Sequence, residues 1–388
     1  MLCPSTPLVC TGTVQLTRRW RERRPASSAP RRPPVTQHPP TSERGRLVLA
    51  EIAEQPAVAE RLVTGASAAG GELQRVARAV REAAPRMVLL TARGTSDHAA
   101  LYAKYLVEVQ LGLPAGLTST STLTVYGAQP DLRGVLWISV SQSGGSPDLV
   151  ESTAAARRAG AMTLAVTNNA ASPLAQAAEL HLDVLAGPEL AVAATKSYTA
   201  QLLTLWLLVQ AWRGASLEPA AALPALLSQA VDSSDVDAVA ARYRFVDRLV
   251  LTGRGFSYPT AREAALKLME TSYLSAMAFS AADLMHGPLA MVDADRPVVV
   301  VVPEGPGGEA LSPVLDALHE RGADVCAVAP SGLAPHATVR LALPSGMPED
   351  LAPVVQIVPL QRLAAHMALA RGLDPDSPRG LRKVTETR

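Results

Sequence analysis

The chain has 388 residues, 48% of them hydrophobic and 18% charged, which is enough for two domains with full cores. Its three cysteines, Cys3, Cys10 and Cys326, show neither metal-ligand spacing nor a disulfide framework, and a reducing cytoplasm fits them. Net charge is +1, yet nine arginines against Glu22 and Glu43 give residues 1–46 a charge of +7, so the remaining residues carry −6 and argue against a general polyanion-binding surface.

Residues 1–45 are Arg- and Pro-rich and are expected to be a disordered tail. Only Trp20 interrupts the charges, so no nucleic-acid partner is expected, and no apolar core follows them as in a signal peptide. Structure is expected from Arg46, with LVLAEIAEQPAVAERLV and ELQRVARAVREAA as amphipathic helices. Strands are then predicted at 87–92, 135–140, 162–167 and 180–185, with helices over 97–109, 147–159 and 195–212. The apolar run LLTLWLLVQAW is shorter than the ~20 residues of a membrane span and reads as a buried helix, so no membrane partner is expected. A linker is predicted at 215–237. The scheme then repeats, with strands at 248–252, 297–302, 324–328 and 338–343 and a closing helix over 353–370. Apolar rather than alternating strands, separated by helices, mean a parallel sheet covered on both faces. Aligning Ala92-Arg93-Gly94-Thr95-Ser96 with Gly253-Arg254-Gly255-Phe256-Ser257 exposes a duplication: an α/β protein of two units, 46–214 and 238–375, with a C-terminal tail at 376–388.

Two stretches carry candidate chemistry. Ser141-Gln142-Ser143-Gly144-Gly145-Ser146 follows a buried strand and precedes a helix opened by Pro147, where free N–H groups and the helix dipole favour an anion. The loop also reads as a plain Ser/Gly turn with a hydroxyl cap. It is neither a Walker A sequence nor GxGxxG, so a nucleotide is not expected. In the second unit, Pro259 opens an Ala/Leu-rich helix on which Glu263, Lys267 and Glu270 fall at i, i+4 and i+7 and share one face. That stripe is equally compatible with a solvated face worth ~0.2–0.5 kcal/mol per pair. Downstream, Asp283, His286, Gly287 and Pro288 form a short polar break, and a carboxylate and an imidazole on adjoining elements suit proton transfer on a carbonyl compound.

The run GRGFSYPTAREAALKLMETSY…DLMHGPLAMVDAD resembles the isomerase part of the glucosamine-6-phosphate synthase family, a pair of sugar-isomerase (SIS) domains. The similarity runs through several separate motifs from about Val88 to the C-terminus. It implies two tandem SIS domains, each a doubly wound, flavodoxin-like parallel sheet flanked by helices. It implies a sugar-phosphate loop in SQSGGSPD, with Ser141, Gln142, Ser143 and Ser146 as phosphate ligands, although the family has Glu-Thr at Gly145-Ser146. Gly94-Thr95-Ser96 matches a sugar-contacting turn. Val192 to Lys196 resembles the family's V-A-S-T-K segment, with Val192 on the substrate and Ala194 in place of serine. Lys196 itself reads as a helix-start ion-pair residue.

By the same resemblance Glu270 is the base that moves a proton between C1 and C2, and Lys267 assists at the hydroxyls. His286 helps open the sugar ring from a neighbouring subunit of a homodimer with shared active sites. Lys383, in PRGLRKVTE, is the tail lysine that forms an imine with a ketose. Met277 stands where a glutamate is usual, and Asp283 shortens another. The synthase's amide-hydrolysing domain needs a Cys directly after the initiator Met; residue 2 is Leu2, so no glutamine source is expected. The expected activity is a hexosamine 6-phosphate isomerase/deaminase without metal or organic cofactor. Two alternatives remain: a lyase that dehydrates an N-acetylhexosamine 6-phosphate at C3, and a non-catalytic sugar-phosphate sensor.

Overall fold

The computed structural model describes residues 43–68, 70–233 and 235–383. The tail expected over 1–45 therefore lies outside the described residues up to position 42, as do Cys3 and Cys10. Among the described residues the strands form two five-stranded sheets. The first holds β1 (Met87–Thr91), β2 (Ala115–Leu117), β3 (Val135–Ser141), β4 (Met162–Thr167) and β5 (Leu180–Asp183), in the order β2-β1-β3-β4-β5. The second holds β6 (Arg248–Gly253), β7 (Ser275–Ser280), β8 (Val298–Val301), β9 (Val325–Pro330) and β10 (Val339–Leu343), in the order β10-β9-β8-β6-β7. Every neighbouring pair is parallel. Counted within each unit the two orders are the same, which confirms the duplication at the level of topology.

Composition explains the strands. All four valines of β8 and all six residues of β9 are buried, as in sheets covered on both faces. Each of the valines contributes ~1.5–3 kcal/mol on burial. The helix Lys196–Arg213 is buried along its whole length except Arg213, and the Lys196 amine is held 2.5 Å from Glu54. Among the described residues no helix is long and apolar enough to cross a membrane.

Both units share one apolar core, which runs from the N-terminal helices through both sheets to the helix Pro353–Ala370. A separate cluster lies on the other face of the second sheet. The helix Thr95–Leu106 of the first unit packs against Tyr258–Ser272 of the second, and this contact positions the site. Within the stretch 215–237, expected as a linker, the helix Leu223–Asp232 buries Leu223, Leu227 and Ala230, and packs on the helices Gln55–Ala66 and Pro353–Ala370. Leu223, Leu227 and Ala230 at helical spacing give this helix its apolar face.

The C-terminal tail is docked at several points. Asp376 accepts from the Leu47 and Val48 N–H groups at 3.0 and 2.8 Å, at the start of the first helix, where a carboxylate satisfies unpaired donors. The Arg379 guanidinium lies 4.1 Å from the Tyr273 ring centroid, and the Arg379 backbone N–H donates to the Tyr273 hydroxyl at 2.8 Å. Tyr273 ends its helix in the left-handed region at φ 56, which is uncommon for an aromatic residue.

Candidate active site

In a 2-1-3-4-5 sheet the crevice for ligands opens beyond the carboxyl ends of the first and third strands, where the strand order reverses. In the first sheet these are β1 and β3. The turn after β1 carries Arg93 to Ser96, with Gly94 at φ 55. The loop after β3 carries Ser141 to Ser146 into the twelve-residue helix Pro147–Arg158. Ser141 Oγ accepts from Gly144 N at 3.1 Å and Ser143 Oγ from Gly145 N at 3.3 Å, so each hydroxyl keeps its own proton to donate. Gly144 is required on two counts: φ is 64, and a Cβ there would lie 2.2 Å from Ser172 Oγ.

A cavity of about 330 Å³ occupies this crevice. Its wall brings together Thr95, Ser96, Ser141, Gln142, Ser143, Ser146, Val192, Lys267, Glu270 and Lys383, residues separated by up to 288 positions in sequence. Lys267 and Glu270 come from the second unit on the helix Tyr258–Ser272. The Lys267 ammonium, almost wholly buried, lies 2.6 Å from Glu270 Oε2 and 3.4 Å from Glu263 Oε1, and donates to Thr95 Oγ1 at 2.9 Å. Burial opposes its charge, but the two carboxylates outweigh that cost and hold the amine above the ordinary lysine value. The stripe read from the sequence is therefore an interior ion network rather than a solvated face. Lys383 enters from the docked tail, and its ammonium donates to Glu189 Oε2 at 2.9 Å and to the Ala191 carbonyl at 2.7 Å.

His286 is the predicted site residue that does not reach this cavity within the chain. It sits exposed on the turn after the helix Ala281–Met285; Ser280 caps that helix by accepting from the Asp283 N–H, and Asp283 Oδ2 accepts in turn from Ser280 Oγ at 2.7 Å. Two residues outside the predicted set also belong to the site: Glu189, the buried anchor of Lys383, and Arg93 of the turn after β1, which lines the cavity 2.7 Å from Asp148 and also bonds Thr120. The predicted set also leaves out Glu263 and His98; His98 Nδ1 lies 2.7 Å from Glu263 Oε2.

The second sheet differs at the equivalent position. Its crevice, between the turns after β6 and β8, is filled by Glu349, which accepts from Gly307 N at 3.1 and 3.2 Å. A Cβ on Gly305 or Gly307 would fall 2.7 or 2.2 Å from that carboxylate. A carboxylate of the chain itself thus takes the place where an anion would rest. A nearby cavity of about 460 Å³ is lined by Glu304, Glu309 and Asp316 together with His319 and His336, and by no lysine or arginine.

The SIS domain profile matches residues 83–211 and 243–371, one match on each unit. The chain belongs to the SIS domain family. Glutamine–fructose-6-phosphate aminotransferase (isomerizing) of Methanothermobacter thermautotrophicus is 35% identical over 341 residues, covering 87% of this chain and 56% of that enzyme. The SIS chain thus spans about half the length of the curated relatives it matches. Among solved structures, the C-terminal domain of glucosamine-fructose-6-phosphate aminotransferase from Francisella tularensis superposes with TM-score 0.75 at 29% identity, covering 86% of this chain and 98% of that one. A phosphosugar isomerase candidate from Silicibacter pomeroyi DSS-3 gives TM-score 0.76 at 34% identity, covering 85% and 99%. The homology falls on the isomerase half of the aminotransferase, as the motifs implied.

Proposed function

We propose that this SIS protein is a hexosamine 6-phosphate isomerase/deaminase that works by C1–C2 enolisation. One observation carries the reading: a single cavity joins a hydroxyl-lined anion loop, a carboxylate paired with a buried ammonium, and a second lysine. In this reading the phosphate rests on Ser141, Gln142, Ser143 and Ser146 at the helix N-terminus. Thr95, Ser96 and Val192 border the sugar. Glu270 takes the C2 proton of the open-chain amino sugar and returns it to C1, so the C2 amine becomes an imine. Lys267 stabilises charge as it forms on the C1 oxygen. The Lys383 amine then adds to the C2 imine and ammonia leaves. Water hydrolyses the resulting lysine imine to a keto-sugar phosphate and free Lys383.

His286 lies outside the cavity of its own chain, so its part in ring opening requires a second copy and makes the working unit a homodimer. The homology to an aminotransferase isomerase half, and the retention of Glu270, Lys267 and Lys383 in one cavity, support an enzyme over a sensor. The test is product identity. Glucosamine 6-phosphate and its N-acetyl derivative are each incubated with the enzyme in heavy water and followed by proton NMR with an ammonia assay. Ammonia and a keto-sugar phosphate from the free amine are expected. Water loss from C3 of the N-acetylated sugar alone would replace this reading with the lyase.

A further inference from the structure

Glu270 and Glu263 compete for one ammonium. Both carboxylates flank Lys267, yet the amine lies 2.6 Å from Glu270 and 3.4 Å from Glu263. On one helix, a glutamate four residues before a lysine is the favoured partner, yet Glu263, which holds that position, is the one farther away. The asymmetry has a visible source on the other helix. Thr95 Oγ1 donates to Glu263 Oε1 at 3.1 Å, and His98 Nδ1 lies 2.7 Å from Glu263 Oε2. Glu263 is fully buried and His98 nearly so. An ionised carboxylate only accepts, so Nδ1 carries the hydrogen.

We propose that His98 is a positioning residue for the base: by supplying Glu263 with a buried donor, it leaves the Lys267 ammonium to Glu270. The inference rests on the reading of Glu270 as the proton acceptor. His98 touches neither the cavity nor the substrate loop, and acts through Glu263 and Lys267. His98 instead lines a second cleft with Asp97 and Arg262. Glu263 on the helix Tyr258–Ser272 meets the His98 ring directly, and the charged groups that line the same cleft are Asp97 on its own helix and Arg262 on the other. Tyr198, on the helix Lys196–Arg213, lies near Glu263 as well; burial first, and the Glu263 charge second, keep its phenol protonated. Arg262 and Asp97 remain in place in the variants below, so a change in Glu270 reports the loss of the imidazole alone.

The experiment compares His98→Phe, which fills the volume without a donor, with His98→Asn, which keeps a donor near the Nδ1 position. Should the Phe chain not fold, His98→Leu takes its place. Glu270 is followed in each full-length enzyme by carbon-13 carboxyl NMR, with its signal assigned by comparison with Glu270→Gln. Without the donor, Glu263 draws Lys267 away, and the Glu270 titration and the acid limb of kcat/KM are expected to move up by about one pH unit. Asn restores both. A titration and acid limb that stay in place in a folded donor-free variant would overturn the inference and leave His98 a packing residue. A carboxyl titration that moves while the wild-type enzyme exchanges no C2 proton would instead retain the positioning role and sink the proposed reaction.

Discussion

Glu189→Gln probes how Lys383 is held in place. Glu189 is fully buried, and its carboxylate accepts from Lys383 Nζ at 2.9 Å, Thr195 N at 2.9 Å, Ser197 N at 3.0 Å and Ser197 Oγ at 2.7 Å. Burial raises its proton affinity, but Lys383 and the backbone donors more than compensate, so the carboxyl titrates below the ordinary glutamate value of 4.5. An amide offers one accepting end where the carboxylate has two, so at least one of the four donors meets an N–H. Removing one partner of a buried pair costs about 3–5 kcal/mol. Lys383 is 25% exposed and can rehydrate, so the lower end, about 3 kcal/mol, is expected. Urea unfolding at pH 7 measures the loss, and trypsin cleavage near Arg379 and Arg382 reports release of the tail. Turnover should fall while phosphate binding persists. The sign with pH follows from the lowered carboxyl: its stabilisation is full above the unfolded value and is lost as pH falls through the folded one. The variant should therefore flatten the acid side of the stability curve. A loss under about 1 kcal/mol with the tail still protected would refute the anchoring argument.

Replacing Ser141 and Ser143 with Ala should weaken 6-phosphorylated sugars by ~1.5–3 kcal/mol per lost charge-assisted bond, measured by calorimetry; equal weakening of unphosphorylated sugars would make the loop structural. The same calorimetry should give one ligand per chain, because Glu349 fills the second crevice, and two equivalent sites per chain would show that its carboxylate is displaced. Mixing inactive Glu270→Gln and His286→Ala chains should restore part of the activity in verified heterodimers, and none recovered would place both residues in one subunit's site.

The chain order and the sheet strands with long valine or leucine runs were legible because buried parallel strands carry a strong apolar signal. β2 and β7 were not: Ala115-Gly116-Leu117 is three residues long, and Ser275–Ser280 has no β-branched residue. Both are edge strands, where burial imposes less on composition. Within the cavity, the hydroxyl loop and the Glu263/Lys267/Glu270 stripe were visible as local patterns. Glu189 and His98 were not, because their meaning comes from partners 194 and 165 positions away. Arg93 was in view as part of the turn after β1, but only the fold brings Asp148 beside it.

The central claim is that Glu270 removes the C2 proton. Glu270→Gln keeps the shape beside Lys267 and removes the basic carboxylate, so the sugar phosphate should still bind. In heavy water, proton NMR of glucosamine 6-phosphate follows the C2 signal directly. Exchange and turnover should fall together by ~10²–10⁴-fold in the variant. Exchange at the wild-type rate from a Glu270→Gln enzyme would contradict it.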